Sequence, residues 1–227
     1  MDNYICINGK RIELTNEQLA TLGVSNPLTL AQLEEWARSG EAANHVKVHD
    51  RIMVGDMELE IVGIGQDTDE NGCTNTVTLR TTAIVDNRCM NDGACNGWRE
   101  SYMRSWLNNE LLNSLPDEIK KHVRPAKKQC RTCDGASYEV VDTIWLFSES
   151  EFFGSAIYSP GEEGKRYEAF TTSADRQVSD GDGDTCWWWE RSPLSSVSTA
   201  FCFVTSSGSA SFTAASSACG VALGFCV

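Results

Sequence analysis

Charge is what this 227-residue chain runs short of, at its C-terminal end. From Leu194 to Val227 there is no Lys, Arg, Asp, Glu or His. The whole chain is 22% charged, so a window this long would ordinarily hold about seven charges. Histidine is scarce throughout. Only His45, His49 and His122 occur, and none has a partner at metal-pair spacing. No serine sits in a Gly-x-Ser-x-Gly elbow and no Gly-x-x-x-x-Gly-Lys phosphate loop is present, which removes the motif-borne hydrolases and nucleotidases. A cysteine nucleophile brought near His49 or His122 by folding is a catalytic route left open. Basic residues are outnumbered, with 19 Lys and Arg against 32 Asp and Glu and a net charge of −13. That balance argues against nucleic acid as a partner. Apolar runs are also short. Nine serines and three glycines interrupt the tail, so no membrane insertion is expected. Met1-Asp2-Asn3-Tyr4 opens no basic, then apolar, signal peptide.

What is present is a hydrophobic content of 41%, enough for one large domain, or one domain and an appendage. Ile5 to Leu14 reads as two short strands around an Asn8-Gly9 turn. Thr15 with Gln18 predicts a capped helix, with Leu14 and Leu19 at staple positions and Gly23 as its stop. Thr29 with Gln32 predicts a second helix, apolar at Leu30, Leu33, Trp36 and Ala37 and ended by Gly40. Residues 1–44 thus form a hairpin and helical appendage, too small to stand alone, ahead of a domain at 45–227.

Within that domain, Val46 to Ile64 alternates as a strand pair turned at Gly55-Asp56. Asp67 to Asn75 is an acidic loop, and Thr76 to Val85 a further strand. Trp98 to Leu115 predicts a helix with two apolar rows, Trp98/Tyr102/Trp106 and Met103/Leu107/Leu111. Pro116 restarts a shorter helix to about Val123. Val140 to Phe147 has the β-branched and aromatic content of a central strand. Ser148 and Glu151 make a capping box over Phe152 and Phe153. The tail reads as a strand at Phe201–Thr205, a turn near Ser206-Ser207-Gly208, an irregular loop to Cys219 and a last strand, Gly220–Val227.

Two groups suggest metals. Cys89, Cys95, Cys130 and Cys133 include one Cys-x-x-Cys, a spacing that suits structural zinc, a disulfide or free thiols alike. Asp180, Asp182 and Asp184 alternate with glycine as calcium ligands do. The glutamate that would close such a loop is missing, so an acidic hairpin tip is the better reading. Glu190 and Arg191 beside three tryptophans look catalytic, but an Arg among rings more often stacks and donates fixed bonds that hold loops. No cofactor is expected.

Three stretches carry a resemblance: Trp-Trp-x-x-Arg-Ser-Pro at Trp187–Pro193, Phe-Cys-x-Val at Phe201–Val204, and Gly-Val-Ala-x-Gly-Phe-Cys-Val at Gly220–Val227. Together they resemble the variable proteins of diversity-generating retroelements. Trp98…Tyr102-x-Arg104-x-Trp106-Leu107-Asn108 and Trp-Leu-Phe-Ser-Glu-x-Glu-x-Phe-Gly are similar to the same family, more loosely, back to about Val46. In that family a template rich in Asn codons is copied with errors at adenines, which cannot yield Lys, Glu, Gln, Met or Trp. None of the five occurs between Leu194 and Val227.

The resemblance implies an α+β, C-type-lectin-like fold with mixed, mainly antiparallel sheets and two main helices. Its ligand-binding region would be 187–227. Trp187, Trp188, Glu190, Arg191, Ser192, Pro193, Phe201, Gly220 and Phe225, with Cys202, Val204, Gly208, Val221, Cys226 and Val227, would form the scaffold. Leu194, Val197, Thr199, Ala200, Phe203, Thr205, Ser207, Ser209, Ser211, Phe212, Thr213, Ala218 and Cys219 would face the partner. Phe203 and Phe212 would be its aromatic anchors. The partner expected is a host or cell-surface protein or glycan, and the bearer a phage virion or a bacterial surface. Two alternatives stand beside this: an oxidase similar to formylglycine-generating enzymes using Cys202, Cys219 and Cys226 with copper, and a structural surface protein with no diversified site.

Overall fold

The uncharged tail is divided between two sheets, and that division builds the core. The computed structural model describes residues 28–227 and, ahead of them, the backbone of two strands, β1 (Tyr4–Ile7) and β2 (Lys10–Glu13). These pair antiparallel, as expected around Asn8-Gly9. The helix expected between Thr15 and Gly23 lies outside the described residues. The helix from Thr29 forms as α1 (Leu30–Ser39), with both halves of the Thr29–Gln32 capping box made and Gly40 left-handed at its end. Leu30, Leu33 and Ala37 are buried in the main core, so this piece packs against the rest of the chain.

A short α2 (Ala42–His45) leads to β3 (Arg51–Val54) and β4 (Met57–Ile64), paired across Gly55-Asp56. Then follow β5 (Thr68–Asp69), β6 (Val77–Thr81) and β7 (Asp86–Arg88). The helix expected from Trp98 begins instead at Tyr102. Trp98–Glu100 is a 3-10 turn, and Ser101 is extended and caps Arg104 N–H, so a new helix starts there. Helix α3 (Tyr102–Trp106) runs through a π turn, Leu107–Leu111, into a last turn, Leu112–Ser114. The break takes Tyr102 out of the buried row and leaves it exposed. The π turn carries Asn108, whose side chain bonds the backbone of Thr143 and Ile144.

After α4 (Asp117–His122) come β8 (Ala126–Arg131) and β9 (Ser137–Asp142), an antiparallel pair extended by β5. The central strand expected at Val140–Phe147 is therefore corrected. The strand ends at Asp142 on the edge of a three-stranded sheet. Ile144 to Phe147 are buried as irregular chain, with Trp145 bridging Gly224 and Phe147 O accepting from the N–H of Arg191 at 3.0 Å. β8 is masked in the sequence by Lys127, Lys128 and Gln129. Ser148 and Glu151 cap α5 (Glu149–Phe153) with both halves of the box.

Residues 188–227 supply β10 (Trp188–Pro193), just ahead of the uncharged tail, and β11 (Ala200–Val204), β12 (Ala210–Ala214), β13 (Cys219–Val221) and β14 (Gly224–Cys226) within it. β12 replaces the expected irregular loop. The single last strand breaks at Ala222-Leu223: β13 joins the sheet β12-β11-β10-β13-β7, and β14 joins β14-β6-β4-β3. β10 and β13 run parallel, and all other named pairs are antiparallel. The molecule is thus mixed α+β, mostly antiparallel, with few and short helices. Val221, Leu223, Phe225 and Val227 all enter the main core, while Ala222 packs in a second cluster with Phe147, Phe152, Phe170 and Trp188. Close packing at the crossing leaves no side chain at Gly224, where a Cβ would meet the Phe147 ring at 2.5 Å.

Candidate functional site: an uncharged strand edge over a buried polar strand

β10 is buried along its whole length, charges included. Burying an arginine is costly unless its donors are matched, and here both Nη atoms are. Nη1 donates to Glu151 Oε2 at 2.5 Å and Leu146 O at 2.9 Å. Nη2 donates to Glu151 Oε1 at 3.0 Å, Glu163 O at 2.8 Å and Gln129 O at 3.1 Å. Glu151 also takes Lys128 Nζ at 2.7 Å, and Lys128 reaches Asp67 and Tyr167. Burial alone would raise the Glu151 carboxyl, but Arg191 and Lys128 hold it down to about 2. Glu163 accepts from Ser192 Oγ and from Arg131 N–H. Burial outweighs Arg191 there and pushes Glu163 up to about 7. A cleft of about 340 Å³ opens beside this network at Gln66–Thr68 and Gly164–Lys165. The arrangement ties the loop 154–167, β8 and β10 together.

Glu190, next in sequence, is buried to 0% exposure and has no hydrogen-bond partner for either carboxylate oxygen. Burial, then Glu149 and Glu163, drives its carboxyl well above the usual range. Its ligand atom lies within 4.8 Å of those of Glu149 and Cys202. Glu149 is held by the N–H groups of Ile157, Tyr158 and Ser159, at 2.7–3.0 Å. No spacing in the sequence joins Glu149 to Glu190 or Cys202. The three meet only because α5 packs on β10, and β11 pairs with β10.

The residues expected to face a partner divide. Val197, Thr199, Ser207, Ser209, Phe212 and Ala218 are exposed, and Leu194, Thr205, Ser211 and Thr213 are half-buried. Ala200, Phe203 and Cys219 are buried, which corrects their assignment to the contact surface. Phe203, 4% exposed, sits in the main core with Trp189 and Phe201. Phe212 pairs in register with Cys202, one residue along β11, so the two phenylalanines point to opposite faces of the sheet. Phe212 is 46% exposed, and its ring meets that of Tyr158 at 5.1 Å. Tyr158 and the exposed Ile157 were not among the expected contacts. They stand on the loop that Glu149 holds. Trp187, expected in the scaffold, is 57% exposed and covers Phe203 from outside, ring centroids 5.2 Å apart. Trp188, Glu190, Arg191, Ser192, Pro193, Phe201, Gly220 and Phe225 are all buried.

The turn at Thr205–Ser209 is stiffened by its own hydroxyls. Thr205 Oγ1 takes Ser209 N–H and meets Ser207 Oγ at 3.0 Å. Gly208 is left-handed there, at φ +78°, against the carbonyl of Ser173.

The metal candidates do not assemble. Among the described residues, Cys89, Cys95, Cys130 and Cys133 form no ligand cluster. All four are free thiols, and Cys95, Cys130 and Cys133 donate to oxygens of Gly97, Lys128 and Asn96. Burial pushes Cys130 up to about 12. Asp180, Asp182 and Asp184 lie on a turn closed by Asp180 Oδ1, which accepts from the N–H groups of Asp182 and Asp184; they form no ligand cluster either. Cys226 belongs to a different sheet from Cys202 and Cys219, so the three cysteines of the oxidase alternative do not share one element. No helix among the described residues is long and apolar enough to cross a membrane.

Residues 74–227 match the model of a family described as a domain of unknown function, DUF6273, and the chain belongs to that family. No curated protein and no solved structure matches the chain.

Proposed function

We propose that this DUF6273 member is a binding protein of C-type-lectin-like fold, with an uncharged C-terminal surface that is diversified by a retroelement to fit a protein or glycan on a host or cell surface. One observation carries the reading. The exposed side chains of 194–218 are small or aromatic, carry no charge, and stand on the turns and the edge strand β12 beside β10 and β11, whose residues make a fully buried framework. A surface that tolerates exchange must contribute little to folding, so the stability has to come from elsewhere. Here it comes from Trp188, Trp189, Arg191 and Phe201 beneath it. The aromatic anchor of the surface is the Tyr158–Phe212 pair, in place of Phe203. The mainly antiparallel mixed sheets support the fold assignment.

Two tests apply. The DNA flanking the gene should hold a near-copy of the segment coding for residues 194–227 and a reverse transcriptase gene; without them diversification is ruled out. A library randomised at Val197, Thr199, Ser207, Ser209, Phe212 and Ala218 should melt cooperatively near the parent Tm in most members. General loss of folding in that library would refute the display role.

A further inference from the structure

We propose that Glu149, Glu190 and Cys202 form a metal site for a divalent cation of borderline softness, zinc(II) foremost. The inference is independent of the binding role above. It rests first on geometry: two carboxylates and a thiol, all buried, offer ligand atoms within 4.8 Å of one another. Tetrahedral zinc, with bonds of ~2.0–2.3 Å, spaces its donors about 3.3–3.7 Å apart, so the three donors draw together when the cation binds. It rests second on an orphan. Both oxygens of Glu190 are fully buried and accept nothing, although buried polar groups are almost always paired.

The contrast with neighbouring carboxylates singles Glu190 out. Glu151 has Arg191 and Lys128, Glu163 has Ser192 and Arg131, and Glu149 has three backbone N–H groups. Glu190 faces Glu149 and Cys202 with no donor supplied. Mixed oxygen and thiolate donors suit zinc better than calcium or magnesium, which take oxygen alone. Binding replaces the carboxyl proton of Glu190 and the thiol proton of Cys202 with the cation and releases both. It also places the cation behind Ile157–Ser159, whose amides Glu149 already holds, and so fixes the loop that bears Tyr158.

The test uses the full chain with Cys73, Cys89 and Cys186, the less buried thiols, replaced by serine to remove adventitious sites. After chelation and readdition of zinc, this protein should retain one equivalent through gel filtration, and its Tm should rise by several degrees. Glu190→Gln should lose both effects while melting, without metal, at or above the parent Tm, because an amide replaces a neutral acid of the same shape. Cobalt(II) should give a near-ultraviolet thiolate charge-transfer band that Cys202→Ser abolishes, a readout that stands if Glu190→Gln misfolds. The proposal is overturned if the parent retains no zinc, if Glu190→Gln retains as much as the parent, or if the cobalt band survives Cys202→Ser.

Discussion

Glu190 and Arg191 are adjacent on one strand, equally buried and opposite in circumstance. Arg191 has acceptors for both Nη atoms, drawn from Glu151, Glu163 and the carbonyls of Leu146 and Gln129. Glu190 has no donor at all. The difference separates what the fold needs from what it leaves available. A charge whose two Nη atoms are both matched to carboxylate and carbonyl oxygens pins loops together. A carboxyl buried without a partner persists only if a proton or a cation occupies it.

The largest break in this comparison should come from Arg191→Met, which strands Glu151 and the carbonyls it served. Removing one partner of a buried pair costs about 3–5 kcal/mol, and chemical denaturation should show the variant largely unfolded. Glu190→Gln should do the reverse, leaving the metal-free Tm unchanged or raised, and a Tm drop of several degrees would mean that the ionised carboxylate is structural. Phe203→Ala should cost about 3–5 kcal/mol as a core cavity. Phe212→Ala, on the opposite face, should stay within about 1 kcal/mol. Urea midpoints of the two variants measure that difference directly.

A smaller effect concerns acidity. Glu163, with its folded pKa raised to about 7 from an ordinary 4.5, contributes stability that is complete below about pH 4.5 and is lost as pH climbs through 7. Its surroundings are Arg191, Ser192, Arg131 and Glu151. Glu163→Gln cannot ionise, so its Tm should gain on the parent progressively between pH 4.5 and 7. A constant gap over that range would show that Glu163 does not titrate there. Smallest of all, Val197→Asn and Thr199→Asn should change the unfolding free energy from urea denaturation by no more than the roughly 0.5 kcal/mol typical of surface changes.

The sequence showed the local features of this fold well. The Thr29–Gln32 and Ser148–Glu151 capping boxes and the Gly55-Asp56 hairpin follow from residue type and spacing, and each forms. What escaped depends on partners far along the chain. β8 carries lysines that a surface strand would carry too, and Lys128 is buried only because Asp67, Glu151 and Tyr167 converge on it. Periodicity extended the helix back to Trp98, but Ser101 caps locally and stopped it. Phe203 and Phe212 looked alike in an uncharged run. Strand register alone sends one inward and the other out. The Glu149–Glu190–Cys202 cluster has no sequence signature, because sheet pairing and helix packing assemble it.

The division of the tail between two sheets also bears on how the protein is made. β13 pairs with β7 and β14 with β6, so strands near residue 80 wait for partners near residue 220. During synthesis on the ribosome, neither sheet can be completed until those last partners emerge, and the Trp189–Phe201 interior stays open to solvent until then. Such long-range closure folds slowly and exposes sticky intermediates. Chains halted before residue 219 should therefore accumulate as chaperone-bound or aggregated nascent products, whereas chains that extend through residue 227 can close both sheets.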